Sequence, residues 1–188
     1  MSFYGIYKKR RVLVTGNTGF KGSWLCTWLL HLGAEVAGLS IDIPTIPSNY
    51  QVLNLEERIQ HYQGDIRDRD VLGRAMDDFQ PEIVFHLAAQ AIVRRSYEDP
   101  TLTFETNILG TMNVLECMRQ RPSIGAGVII TSDKCYRNVE WLWGYRENDV
   151  LGGGDPYSAS KACAELVSRA YVESYFQGGE PRVATTRA

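Results

Sequence analysis

Tyr157 and Lys161 stand four residues apart in Tyr157-Ser-Ala-Ser-Lys161. On a helix that spacing puts a phenol and an ammonium on one face, where they can share a proton-transfer task. Asp155 and Pro156 supply an N-cap and a first helical residue, so the pair falls in the opening turns. A bare Tyr-x-x-x-Lys is also common on solvated helices, and its meaning depends on its surroundings. A second reactive grouping, Ser132-Asp133-Lys134, follows the apolar run Gly127-Val-Ile-Ile-Thr131. A hydroxyl, a carboxylate and an ammonium in succession at the carboxyl edge of a strand are costly to bury without a task.

Both groupings need elements to position them, and these begin with Arg11-Val-Leu-Val-Thr15, a short apolar run that predicts a buried strand. A helix is expected from about Gly19 to Leu32. Trp24, Trp28 and Leu32 recur in it at a spacing of four, Leu25 and Leu29 lie beside them, and Gly33 stops it. Between strand and helix lies Gly16-Asn-Thr-Gly19-Phe-Lys-Gly22. Gly16 permits a tight turn, Gly19 lets backbone approach a pyrophosphate at the helix N-terminus, and Gly22 allows close packing. The spacing is G-x-x-G-x-x-G rather than G-x-G-x-x-G, and a structural turn is the alternative reading. For a dinucleotide, Gly16, Thr18, Gly19, Phe20, Lys21 and Gly22 are the expected lining.

Glu35 to Ser40 forms the second strand. Asp42 follows Gly22 by twenty residues and is the candidate carboxylate for an adenosine ribose, while Ser40 occupies the strand end itself. The surface loop Ile41 to Tyr50 has no Arg or Lys cluster for a 2′-phosphate, which favours NAD over NADP. Ile59 to Gln63 is a third strand, followed by Gly64-Asp65-Ile66 and a helix from Asp68 to Phe79. Asp65 could accept from an adenine amino group with Ile66 over the ring, or could serve as a turn residue. Glu82 to Leu87 is a buried strand, and the small residues after it, in Leu87-Ala88-Ala89-Gln90, leave room for a ligand. His86 reads as a hydrogen-bonded structural histidine. A long helix runs from Leu102 to Arg119, and its polar Asn107 needs a partner and is expected to brace the cofactor loops. Tyr136 to Gly154 is a mobile aromatic loop, able to cover a sugar face or to anchor to a neighbour. The helix after Asp155 is expected to turn Ala159, Cys163, Leu166, Val167 and Ala170 towards the sheet, and Pro181 to Arg187 begins another strand. Strand and helix alternate throughout, which predicts an α/β fold: a Rossmann-like, doubly wound parallel sheet with helices on both faces.

The charges are 20 Lys+Arg against 22 Asp+Glu, a net −2, so nothing marks a nucleic-acid or membrane partner beyond Lys8-Lys9-Arg10-Arg11. That cluster reads as a solubilising entry to the first strand. Cys26, Cys117, Cys135 and Cys163 lack metal-ligand spacing and read as reduced thiols of a cytoplasmic protein. No metal site is expected.

Thr15-Gly16-x-x-Gly19-x-x-Gly22, Asp65-Ile66, His86-Leu-Ala-Ala89, Asn107 and Tyr157-x-x-x-Lys161 together resemble the extended short-chain dehydrogenase/reductase superfamily. Within it, Gly19-Phe-Lys-Gly-Ser-Trp24, Thr131-Ser-Asp-Lys-Cys-Tyr136, Trp143-Gly-Tyr-Arg-Glu147 and Asp155-Pro-Tyr-Ser158 are similar to the CDP-glucose 4,6-dehydratases. Asn17 stands where a histidine is expected. The resemblance implies a lyase that converts CDP-glucose to CDP-4-keto-6-deoxyglucose with bound NAD, in deoxysugar biosynthesis for bacterial surface polysaccharide. By the same resemblance Tyr157 would take the 4-hydroxyl proton. Lys161 would favour the phenolate and hold the nicotinamide ribose, Ser132 would bond the sugar oxygen, and Asp133 and Lys134 would act as acid and base in the elimination. The resemblance further implies that residues 1–188 are a dinucleotide-binding domain, that most of a C-terminal sugar-nucleotide domain lies outside them, and that the full-length protein is a homo-oligomer. A sugar-nucleotide 4-epimerase, another nucleotide-hexose 4,6-dehydratase and a non-enzymatic NAD-binding regulator are the alternatives.

Overall fold

The computed structural model describes residues 2–179 and 181–187. Six strands, β1 (Arg11–Thr15), β2 (Glu35–Ser40), β3 (Gln60–Gln63), β4 (Ile83–His86), β5 (Ala126–Ile130) and β6 (Arg182–Thr186), form one sheet in the order β3-β2-β1-β4-β5-β6. All five pairings are parallel. The helices are α1 (Phe20–His31), the short α2 (Asn49–Val52), α3 (Arg69–Phe79), α4 (Val93–Glu98), α5 (Pro100–Phe104), α6 (Gly110–Arg119) and α7 (Pro156–Tyr175). The doubly wound architecture expected from the alternation is therefore present, and the strand order reverses between the parallel neighbours β1 and β4, where such sheets bind ligands.

The alternation of β1 side chains separates two cores. Val12 and Val14 pack with Cys26, Leu29, Val36 and Leu55, whereas Leu13 packs with Leu72, Met76, Val84, Val114 and Met118 on the opposite face. The basic cluster before β1 is tied down by Glu82, which accepts from the Arg10 side chain and, at 3.1 Å, from the Arg11 backbone N–H. Two helices present faces other than those their apolar residues predict. Trp24 and Trp28 are 53% and 51% exposed, because α1 approaches the sheet through Gly22, Ser23, Cys26 and Leu29, and Phe3 packs edge-on against Trp28 with ring centres 5.5 Å apart. On α7 the buried row is Tyr157, Lys161, Ala164, Glu165 and Ser168, while Ala170 is exposed and Leu166 is 54% exposed. The polar face needed at the sheet edge has displaced the apolar one. Tyr50, placed in a surface loop by its neighbours, is instead buried at the start of α2.

The long helix expected over Leu102 to Arg119 is continuous but not uniform: α5 runs into a π-helical segment, Glu105–Leu109, and then into α6. Such widened turns recur at functional sites, because they re-aim a side chain without ending the helix. The side chain re-aimed here is Asn107. Among the described residues no helix is long and apolar enough to cross a membrane, and no group of three or more His, Cys, Asp or Glu residues is placed to hold a metal ion.

Candidate active site

The glycine loop leaves β1 at Gly16, whose φ of 75° and whose close approach to Ala88 exclude a side chain: a Cβ there would lie 2.7 Å from the Ala88 nitrogen. Gly22 is needed for packing against the loop itself, since its Cβ would lie 2.1 Å from the Gly16 carbonyl oxygen. Gly19 is the N-cap of α1 and makes no side-chain cap bond, so the first-turn N–H groups remain available to an anion. Phe20 and Lys21 begin that turn and are exposed. The Thr18 hydroxyl donates to the Asp42 carbonyl at 2.6 Å, and this fastens the loop to the exposed Asp42.

Ser40 is turned inward rather than towards a ligand. Its hydroxyl donates to Asn17 Oδ1 at 2.7 Å and accepts from the Thr18 N–H at 3.3 Å. Asn17 is fully buried over Gly38 and also bonds His61 Nδ1 at 3.1 Å, a partner the sequence did not indicate. Asp65 takes the turn role. Arg67 donates to it from the backbone at 2.9 Å and from the guanidinium at 2.6 Å. Burial opposes ionisation of Asp65, but the bonds from Arg67 hold its carboxyl below the usual range. The Ile66 side chain does not lie over an open ring site: it is buried in the core, and a Cβ on Gly110 would come within 2.5 Å of it.

Leu87, Ala88 and Ala89 follow β4 beside the glycine loop, and Gln90 is buried. Asn107 braces this segment as expected. Its Oδ1 accepts from the Gln90 N–H at 2.8 Å, and its Nδ2 donates to the Gln90 carbonyl at 3.0 Å and to Ser160 Oγ at 2.8 Å. Ser160 in turn donates to the Tyr157 carbonyl at 2.7 Å, so one chain of bonds runs from the β4 loop to the backbone of Tyr157. His86 is structural. Thr111 spends its proton on the Asn107 carbonyl at 2.7 Å, so His86 Nε2 donates to it at 3.1 Å and Nδ1 accepts from Thr15 at 2.7 Å. Burial, with Lys161 nearby, lowers the imidazole to about 3 and keeps it neutral.

Tyr157 is capped as its neighbours predict, Asp155 accepting from the Ser158 N–H at 2.9 Å. Ser96 on α4, missed in the sequence, accepts from the Tyr157 N–H at 3.2 Å. Lys161 is 6% exposed, and its ammonium donates to the Ile130 carbonyl at 3.2 Å, its one acceptor among the described residues. Burial, then the charge of Lys21, lowers it to about 8, with Glu165 opposing. Ser132 is buried, but Asp133 and Lys134 are exposed, so the desolvation cost expected of that grouping does not arise. Ser132 Oγ accepts from the Lys134 N–H at 3.2 Å and donates to Asp133 at 3.1 Å, forming a tight turn that packs against α7. The following aromatic segment is pinned rather than loose: Tyr136 stacks on Tyr145 with ring centres 5.2 Å apart and pairs with Leu151.

A family model described as GDP-mannose 4,6 dehydratase matches residues 13–177, most of the chain. The chain belongs to that family. Among its curated relatives, the CDP-glucose 4,6-dehydratase of Salmonella typhimurium is 53% identical over 170 residues, covering 90% of this chain and 47% of that protein. This bears out the resemblance read from the motifs. Among solved structures, the UDP-glucose 4-epimerase of Thermus thermophilus in complex with NAD has a TM-score of 0.82 at 35% identity, covering 94% of this chain and 54% of that one. The dTDP-glucose 4,6-dehydratase of Streptomyces venezuelae, also solved with NAD, has a TM-score of 0.81 at 31% identity, covering 94% of this chain and 55% of that one. The chain spans about half the length of the curated relatives it matches.

Proposed function

We propose that the full-length protein is an NAD-dependent CDP-glucose 4,6-dehydratase, with residues 1–188 forming its dinucleotide-binding domain and carrying the acid/base residues. The observation that carries this reading is the packing of the Ser132-Asp133-Lys134 turn against the helix that bears Tyr157 and Lys161, which supports two acid/base pairs serving one site. The fit to a dinucleotide is supported by the open first turn of α1, by the backbone contact that only glycine at 16 allows, and by a buried ammonium with spare donors.

Bound NAD would supply a hydride acceptor at sugar C4 and later a hydride donor at C6. The loop from Gly16 to Gly22, with Lys21, would bind the pyrophosphate, Thr18 would hold that loop to Asp42, and Asp42 would receive the adenosine ribose because Ser40 is already committed to Asn17 and Thr18. Leu87 to Gln90, braced by Asn107, would line the nicotinamide side. Asp65 and the Ile66 backbone would lie towards the adenine. Tyr157, as phenolate, would take the 4-hydroxyl proton while Lys161 donates to the nicotinamide ribose and Ser132 to the same sugar oxygen. The 4-ketone acidifies C5. Lys134 as free amine would remove that proton, and Asp133 as acid would protonate the departing C6 hydroxyl, so that one water is lost before the hydride and a proton return to C6 and C5.

The exposed apolar residues Leu109, at the end of the π-helical segment, Met112 on α6 and Leu166 on the neighbouring α7 support a homo-oligomer formed through these helices. The four free cysteines support residence in the cytoplasm. A 4-epimerase is the second reading, favoured by the likeness to the Thermus enzyme. Incubating the full-length protein with CDP-, dTDP- and GDP-hexoses and weighing the products separates them. Loss of one water from CDP-glucose is expected; an unchanged mass with inverted C4 would mark an epimerase.

A further inference from the structure

Glu165 is 5% exposed, lies one turn beyond Lys161 on α7, and takes no part in the steps above. Its carboxylate accepts from Thr131 Oγ1, from Thr185 Oγ1 at 3.0 Å and from Arg187 Nη2 at 2.9 Å. Burial pushes the Glu165 carboxyl up, but the bonds from Arg187 and Thr131 outweigh it and leave the group ionised below the usual range. Arg187 extends the network. Its Nη1 donates to the Tyr136 hydroxyl at 2.7 Å and to the Glu147 carbonyl at 2.9 Å, and the guanidinium sits 4.8 Å from the centre of the Tyr136 ring.

Thr131 and Tyr136 are the residues on either side of the turn that carries Ser132, Asp133 and Lys134, and both ends are fastened to this one ion pair. The Asp133 and Lys134 side chains are exposed, and among the described residues the one side-chain bond to either runs from Ser132 to Asp133. Their placement therefore rests on the backbone, which Glu165 and Arg187 hold by side-chain bonds at both ends of the turn, beside the main-chain bonds from the Thr131 N–H to the Thr186 carbonyl and from the Gly152 N–H to the Cys135 carbonyl. Tyr157 and Lys161 have separate supports in Ser96, Ser160, the Asp155 cap and the Ile130 carbonyl. A buried ion pair contributes little net stability over apolar residues of similar volume, so a dense network at this point calls for a geometric reason.

We propose that Glu165 and Arg187 are positioning residues for the elimination half of the reaction, holding Asp133 and Lys134 across the sugar while leaving C4 oxidation to the Tyr157 and Lys161 supports. This deepens the proposed function and rests on it. Two substitutions loosen the clamp without removing the Glu165 charge that Lys161 feels. Tyr136→Phe deletes one hydroxyl and keeps the ring stack; Arg187→Lys keeps a cation for Glu165 but loses the fork to Tyr136 and Glu147. In NAD-loaded full-length protein mixed with CDP-glucose in deuterated water, NADH absorbance follows C4 oxidation and mass spectrometry of quenched sugar follows C5 exchange.

Displacement of a reacting group by about 1 Å costs on the order of 100-fold, so C5 exchange should fall about tenfold in Tyr136→Phe and further in Arg187→Lys, with NADH formation within about twofold of wild type. Equal slowing of both readouts, or unchanged exchange, overturns the proposal. Tyr136→Phe remains readable if Arg187→Lys lowers stability. A wild type that makes neither NADH nor exchanged sugar sinks the function itself, whereas an active wild type with unsplit variants sinks only the clamp.

Discussion

Lys161→Met should make the protein more stable at neutral pH while abolishing turnover. In the folded chain the Lys161 ammonium is lowered from its ordinary value of 10.5 to about 8, burial being the larger cause and Lys21 the next. At about 1.4 kcal/mol per pKa unit, holding that charge costs the apo protein about 3 kcal/mol. Methionine is close in volume and favourable in a helix, but it leaves the Ile130 carbonyl without its donor, which returns about 1 kcal/mol. The expected net gain at pH 7 is about 1–2 kcal/mol. Between pH 8 and 10.5 the unfolded chain binds more protons at this position than the folded chain does, so this part of wild-type stability rises with pH through that window. The advantage of Lys161→Met should therefore shrink by about 2 kcal/mol on moving from pH 7 to about pH 9.5. Urea denaturation of the apo full-length protein and the variant at both pH values reads the difference directly, and other titrating groups cancel. A variant less stable than wild type at pH 7, or a difference that ignores pH, would refute the reasoning. Such a result would mean that the ammonium is satisfied by the fold and not reserved for a ligand.

Three further outcomes follow from the same geometry. Tyr157→Phe should bind NAD with nearly unchanged affinity and show no NADH absorbance in a single turnover with CDP-glucose. Lys134→Met should still oxidise C4, giving an NADH signal, but should lose C5 exchange with solvent deuterium. Asn107→Ala strands both the N–H and the carbonyl of Gln90, and at about 1–3 kcal/mol for each buried group it should lower stability by about 2–6 kcal/mol in urea titrations.

Features governed by neighbouring residues were legible in the sequence. The apolar run of β1, the glycine turn into α1, the Asp155-Pro156 start of α7 and the bracing role of Asn107 follow from local pattern and from the rule that a buried amide needs partners. The six parallel strands followed from the alternation. The faces of α1 and α7 did not. Leu166 and Cys163 advertise an apolar face, yet α7 buries Tyr157, Lys161 and Glu165, because Lys161 and Glu165 find their hydrogen-bond partners at the sheet edge, in Ile130, Thr131 and Thr185. Trp24 and Trp28 misled in the same way, since α1 seats itself through small residues. The partners that hold the site were illegible for another reason: Arg187 to Tyr136, Ser96 to Tyr157 and Asn17 to His61 are joined across 51, 61 and 44 residues. Glu165 alone carried a signal, as a carboxylate continuing the row of Tyr157 and Lys161 at a spacing of four.

The central claim is one sugar passing through oxidation, elimination and reduction on the same residues, and CDP-glucose deuterated at C4 tests it most directly. The full-length protein should release a product lighter by one water that keeps the deuterium, now at C6. Deuterium still at C4 with no water lost, or lost to the solvent, would contradict the account.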